Sequence, residues 1–139
     1  MKRLLAPATA ALLAACATAE PQASSSASTD TAAGRQLYAR HCLACHQADG
    51  YGVPNMQPAI AGGAWVQGDP RALAMFVMTG GFDSESRKDS DNGNVMPPFV
   101  QLPDQELAAI LTFIRAEFGK GASPVGAAEV AAARADLPK

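Results

Sequence analysis

Cys42-Leu43-Ala44-Cys45-His46 is the stretch on which the reading of this chain turns. A Cys-x-x-Cys-His run is the pattern of covalent c-type haem attachment. The spacing has a physical reason. If the segment turns as a helix, Cys42 and Cys45 lie one turn apart on one face. Their thiols can then add to the two haem vinyl groups as thioethers, and His46 follows at once as a proximal ligand for the iron. Two other readings compete. A structural zinc site wants four ligands, yet the only further Cys and His are Cys16 and His41. A redox dithiol wants a βαβ setting, and no strand-like alternation flanks the motif.

The 139 residues allow one small domain with appendages. Lys2-Arg3 followed by the apolar run Leu4 to Leu13 reads as a signal peptide, too short to span a bilayer as a helix. Leu13-Ala14-Ala15-Cys16 resembles the lipobox of bacterial lipoproteins, which would leave Cys16 as the lipidated first residue. The alternative is an ordinary cleavage site at Ala17-Thr18-Ala19. Lipidation accounts for the odd cysteine, and several acyl chains anchor a protein stably. By resemblance to lipoprotein sorting signals, Ala17 after Cys16 leans the sorting toward the outer membrane of a Gram-negative cell. Residues 17–29, rich in Ser and Ala, read as a flexible tether. Without Lys2 and Arg3 the chain keeps 9 basic against 13 acidic side chains, a net charge of −4 that speaks against nucleic acid.

The remaining residues read as helices separated by loops. Asp30 or Thr31 is placed to cap a helix beginning near Ala32 and running into Cys42, with Gly34 inside it at a cost of about 1 kcal/mol against Ala. His41, fixed beside the attachment site, reads as a surface or packing residue. Residues 47–68 are rich in Gly and Pro and read as loop around the haem. Trp65 there either packs on the haem with its indole N–H toward a propionate or is core filler. Asp69-Pro70 opens a second helix whose buried stripe is Leu73, Phe76 and Val77, and Gly80-Gly81 ends it. Met75 and Met78 on that helix read as packing or surface residues. Residues 82–94 carry Asp83, Glu85, Asp89 and Asp91 around Arg87 and Lys88, either a solvated loop or a docking surface. A last main helix from Pro103-Asp104 shows the stripe Leu107, Ile110, Leu111, Ile114.

An electron-transfer haem needs a second axial ligand, and a thioether raises its reduction potential. Met96, in the stiff run Met96-Pro97-Pro98-Phe99, is the first candidate, with Met56 behind it.

The Met96-Pro97-Pro98-Phe99 block, about fifty residues after His46, and the run from Leu102 to Arg115 resemble the ligand loop and C-terminal helix of class I cytochromes c, such as the bacterial monohaem proteins. Pro103 stands where that family usually has a Ser or Thr cap. The resemblance spans about Ala32 to Arg115. It implies an all-α class I cytochrome c fold, with N- and C-terminal helices crossing and loops wrapped around one covalent haem c. It also implies that Gly34 and Tyr38 let the first helix meet Phe113 of the last, and that the Pro58 carbonyl accepts a hydrogen bond from the ligand imidazole. The Ala-rich tail, residues 127–135, resembles that of cytochrome subunits of periplasmic dehydrogenases.

The expected organisation is a signal peptide at 1–15, a lipidated Cys16 and tether at 16–30, the cytochrome domain at 31–121 and a helical tail at 122–139. The expected function is one-electron transfer at the periplasmic face of a membrane, from a dehydrogenase donor to an oxidase or another cytochrome. A haem held by His46 and Met96 offers no open iron position to a substrate, so neither a small-molecule substrate nor an enzyme is expected. The apolar pocket disfavours charge on ferric iron and so favours the reduced state. The competing functions are a stable subunit of a dehydrogenase complex and, further off, a haem sensor or haem enzyme.

Overall fold

The computed structural model describes residues 23–81 and 95–138, with side chains from residue 31 onward. The signal peptide, Cys16 and the acidic loop 82–94 lie outside the described residues. Among the described residues six helices follow in order: α1 Ala23–His41, α2 Leu43–His46, α3 Ala64–Gln67, α4 Pro70–Thr79, α5 Asp104–Phe118 and α6 Ala127–Ala135. Among the described residues there is no strand, only an isolated bridge between Val53 and Gln57, so the fold is all-α. No helix among them is long and apolar enough to cross a membrane.

α5 is the centre. Its stripe Leu107, Ile110, Leu111, Ile114 is buried as expected, and Ala108, Ala109, Thr112, Phe113 and Arg115 are buried as well. A helix covered on all sides needs neighbours on all sides. α1 covers one flank, α4 and α6 cover others, and the rest faces a cavity. Each fully buried Leu or Ile contributes about 1.5–3 kcal/mol by leaving water.

α1 meets α5 where Gly34 lies, and a Cβ built there would stand 2.0 Å from the carbonyl oxygen of Ala109 and 2.8 Å from Phe113 Cβ. No side chain larger than hydrogen fits that approach. Tyr38, one turn on, packs its ring 5.2 Å from Phe113 and 5.6 Å from Phe118. Its hydroxyl donates to the carbonyl of Gln47 at 2.6 Å. The crossing expected from resemblance is therefore present, and it ties α1 to the first loop after α2.

α1 starts nine residues before Ala32, so residues 23–30, read from sequence as tether, are helical and Asp30 and Thr31 sit inside the helix rather than capping it. The stretch holds four Ser and two Ala before Thr29 and Asp30 and has no Gly or Pro, so no helix breaker stops the extension. α4 begins as expected, with Asp69 accepting from the Ala72 amide at 2.8 Å and Pro70 in the first turn. Its buried stripe differs slightly: Leu73, Ala74, Val77 and Met78 are core, while Phe76 is half-buried.

The tail is part of the core, which its composition did not announce. Val130 and Ala133 of α6 are 0% exposed. Arg71 of α4 pairs with Asp136 and donates to the Ala132 carbonyl. Thr112 and Val125 exchange two hydrogen bonds, of 3.1 and 3.0 Å, fixing the turn into α6.

Candidate haem site

The motif at 42–46 forms one helical turn. The Cys42 amide donates to the Tyr38 carbonyl at 2.8 Å, and the His46 amide donates to the Cys42 carbonyl at 2.9 Å. Both cysteines carry free thiols, Cys42 half-buried and Cys45 exposed. Both line one cavity of about 610 Å³ together with His46 and Met96. That volume falls within the ~300–1,000 Å³ usual for cofactor sites. The cavity's walls are largely apolar, with Ile60, Leu73, Val77, Phe99, Ile110 and Ile114 among them.

His46 Nδ1 lies 3.4 Å from the Pro58 carbonyl oxygen. A carbonyl only accepts, so in this pairing Nδ1 carries the proton and Nε2 keeps its lone pair for a metal. Burial, the larger influence, holds the His46 pKa below its ordinary value, against the Pro58 bond, which acts to raise it. The imidazole is thus kept neutral, the form that binds iron.

Burial, and then the neighbouring Cys45, push the Cys42 thiol up to about 11. A redox dithiol works through a cysteine of lowered pKa, and Cys42 is shifted the opposite way. Among the described residues no group of three or more His, Cys, Asp or Glu side chains could hold a metal ion. What remains is two thiols one turn apart, a neutral imidazole and a thioether around an apolar cavity. That donor set fits a covalently attached porphyrin with two axial ligands.

Met96 is half-buried and its loop is tightly held. The Phe99 amide donates to the Val77 carbonyl at 3.3 Å. Gly80 ends α4 in the left-handed region (φ 74°), and a Cβ there would meet the Met96 carbonyl oxygen at 2.6 Å. The sequence marked Gly80 only as a helix stop; its second role, letting the Met96 backbone pass, needs a contact across sixteen residues. Met56, the other thioether considered, is 48% exposed and is not among the cavity-lining residues. Trp65 lines the cavity at 44% exposure, stacked on Phe76 with ring centroids 4.6 Å apart. At that exposure it is not core filler. His41, read as surface or packing, lies edge-on to Phe99 at 6.2 Å and touches the same cavity.

Sequence reasoning missed Arg115. It is 2% exposed and donates through Nη1 to the carbonyls of Val66 at 2.9 Å and Gly68 at 2.8 Å. Its Nε and Nη2 reach the Ser123 carbonyl and hydroxyl. The guanidinium thereby fixes the end of α3, the helix that carries Trp65, against α5 and the tail.

Comparison with known proteins agrees with this geometry. The cytochrome c family pattern matches residues 31–117. The chain is 34% identical over 111 residues to cytochrome c-552 of Thermus thermophilus, covering 73% of this chain and 84% of that protein. It is 35% identical over 114 residues to the gluconate 2-dehydrogenase cytochrome c subunit of Pantoea cypripedii, covering 77% of this chain and 25% of the relative. It is also 37% identical over 92 residues to the cytochrome c subunit of the quinone-dependent alcohol dehydrogenase of Gluconobacter oxydans, covering 65% of this chain and 19% of the relative. The chain therefore spans a quarter or less of those dehydrogenase subunits. An all-α fold among the described residues, an apolar cavity edged by Cys42, Cys45, His46 and Met96, and a family match over most of the described residues lead to one conclusion: the chain belongs to the cytochrome c family, with a covalently bound haem c.

Proposed function

We propose that this cytochrome carries single electrons at the periplasmic face of a bacterial membrane, with Cys42 and Cys45 as thioether attachments and His46 and Met96 as axial ligands. The observation that carries this reading is the shared cavity: segments about fifty residues apart in sequence present a neutral imidazole and a thioether to one apolar space. When bound there, haem iron supplies a one-electron couple, and a Met/His pair sets it at the higher end of the haem range. Pro58 orients the His46 ring, Trp65 and Phe76 cover part of the cavity edge, and the apolar wall excludes water. The ligand assignment is tested with Met96→Ala. The variant is expected to lose the weak long-wavelength band of thioether-ligated ferric haem, and its potential should fall by on the order of 0.1 V or more. An unchanged spectrum and potential contradict it.

Cys16 is the proposed lipid anchor and residues 17–22 the start of the link to α1, which keeps the domain at the membrane while it meets redox partners. Cys16→Ala is expected to move the cytochrome from the membrane fraction to the soluble one; retention in the membrane contradicts the anchor. A second reading is supported by the dehydrogenase-subunit relatives: the chain serves as a bound cytochrome subunit of a periplasmic dehydrogenase. A dehydrogenase that stays with it through mild detergent extraction supports that reading over free diffusion.

A further inference from the structure

The loop that presents Met96 is held on two sides by different means. On one side stand Gly80 and the Val77 carbonyl of α4. On the other side stands a single residue of the tail helix, Arg134. Its Nη2 donates to the Leu102 carbonyl at 2.7 Å, its Nη1 donates to the Val100 carbonyl, and its Nε pairs with Asp104 at 2.8 Å. Only Pro97, Pro98 and Phe99 lie between Met96 and the first of those carbonyls. Two adjacent prolines leave the chain little freedom to absorb a displacement. Motion at Val100 is therefore passed to Met96.

The chemistry suits a clamp. A guanidinium offers donors in a fixed planar fork, so it can engage two carbonyls and a carboxylate together where an ammonium cannot. Asp104 lies in the first turn of α5, where the helix dipole favours its charge. The side chains of Arg134 and Asp104 are each 30% exposed, which shields their pairing partly from water and salt. The helix bearing Arg134 is itself anchored by Val130 and Ala133 in the core, so the fork projects from a fixed base.

We propose that Arg134 is a positioning residue for the Met96 loop: by gripping the Val100 and Leu102 carbonyls it sets how readily Met96 gives up the iron. The tail helix thereby tunes the redox site without touching it. This rests on the reading of Met96 as axial ligand.

The test uses haem-loaded protein and added imidazole, which competes for the sixth position only when the loop opens. Arg134→Gln is expected to weaken the long-wavelength ferric band and to raise the apparent affinity for imidazole roughly tenfold, because an external ligand gains in proportion to the open fraction. Arg134→Lys, which keeps the charge but cannot fork, should fall between. Arg71→Ala is the control. It cuts a separate tie to α6, the pairing with Asp136 and the Ala132 carbonyl, and leaves the loop contacts alone. It should lower the unfolding midpoint without changing imidazole affinity. Wild-type imidazole affinity in both Arg134 variants overturns the proposal, and so does an equal rise in Arg71→Ala, which means general loosening of the tail. If the band survives in Met96→Ala, the ligand assignment fails and the Arg134 proposal with it; if Met96→Ala loses the band and the Arg134 variants do not change, only the Arg134 proposal fails.

Discussion

Replacing Gly34 by Ala should destabilise the haem-loaded protein by about 3 kcal/mol, among the largest effects of any single methyl group in the chain. The added Cβ would stand 2.0 Å from the Ala109 oxygen, 2.7 Å from its carbonyl carbon and 2.8 Å from Phe113 Cβ. Two of these atoms are backbone and the third is a Cβ, so no rotamer change relieves the clash. α1 must instead move away from α5, and the packing of Tyr38 on Phe113 and Phe118 loosens with it. Ala gains about 1 kcal/mol over Gly inside a helix, which offsets only part of that loss. Denaturant unfolding followed by haem absorbance measures it. A variant as stable as the parent would mean that the two helices do not meet at Gly34.

Arg115→Leu should cost about 3 kcal/mol for a different reason. Among the described residues Arg115 has no carboxylate partner; its charge is met by the carbonyls of Val66, Gly68 and Ser123 and by the Ser123 hydroxyl. Leu recovers the apolar contact and removes the burial cost of the cation, but leaves those carbonyls without donors. An unmatched carbonyl at buried Val66 costs about 1–3 kcal/mol by itself, and the partly buried bonds to Gly68 and Ser123 add to it, so the deficit outweighs the gain. Arg115→Lys should recover only part, because a single ammonium nitrogen cannot meet the Val66 and Gly68 carbonyls, which Nη1 serves, and also the Ser123 carbonyl and hydroxyl, which Nε and Nη2 serve. The same unfolding measurement applies, and a loss below about 1 kcal/mol in the Leu variant would contradict this account of the buried cation.

What was legible in the sequence was local. The Cys-x-x-Cys-His turn, the Asp69-Pro70 start and Gly80 stop of α4, and the α5 stripe all rest on spacings of a few residues, where helix geometry acts directly on the pattern. Resemblance supplied the Gly34–Phe113 approach, which no periodicity reveals. The hidden features depend on long-range contacts. Arg115 looks like an ordinary cation in the last turn of a helix, and its burial is decided by carbonyls 47 and 49 residues away. α6 looks like a solvated tail because Ala has little apolar surface to announce; Val130 and Ala133 become core only because α4 and α5 leave a groove they fill. The early start of α1 escaped notice because Ser and Ala carry no helical stripe for the eye to follow.

The central claim is that Cys42 and Cys45 carry the haem covalently in the cavity they share with His46 and Met96. The most direct measurement is haem staining of the denatured chain, after acid–solvent extraction, for the parent and for Cys42→Ser/Cys45→Ser, both produced in cells able to mature c-type cytochromes. The parent chain should keep its red pigment through unfolding and extraction, and the double variant should be colourless. Pigment that washes out of the parent, or that stays with the double variant, would contradict the account.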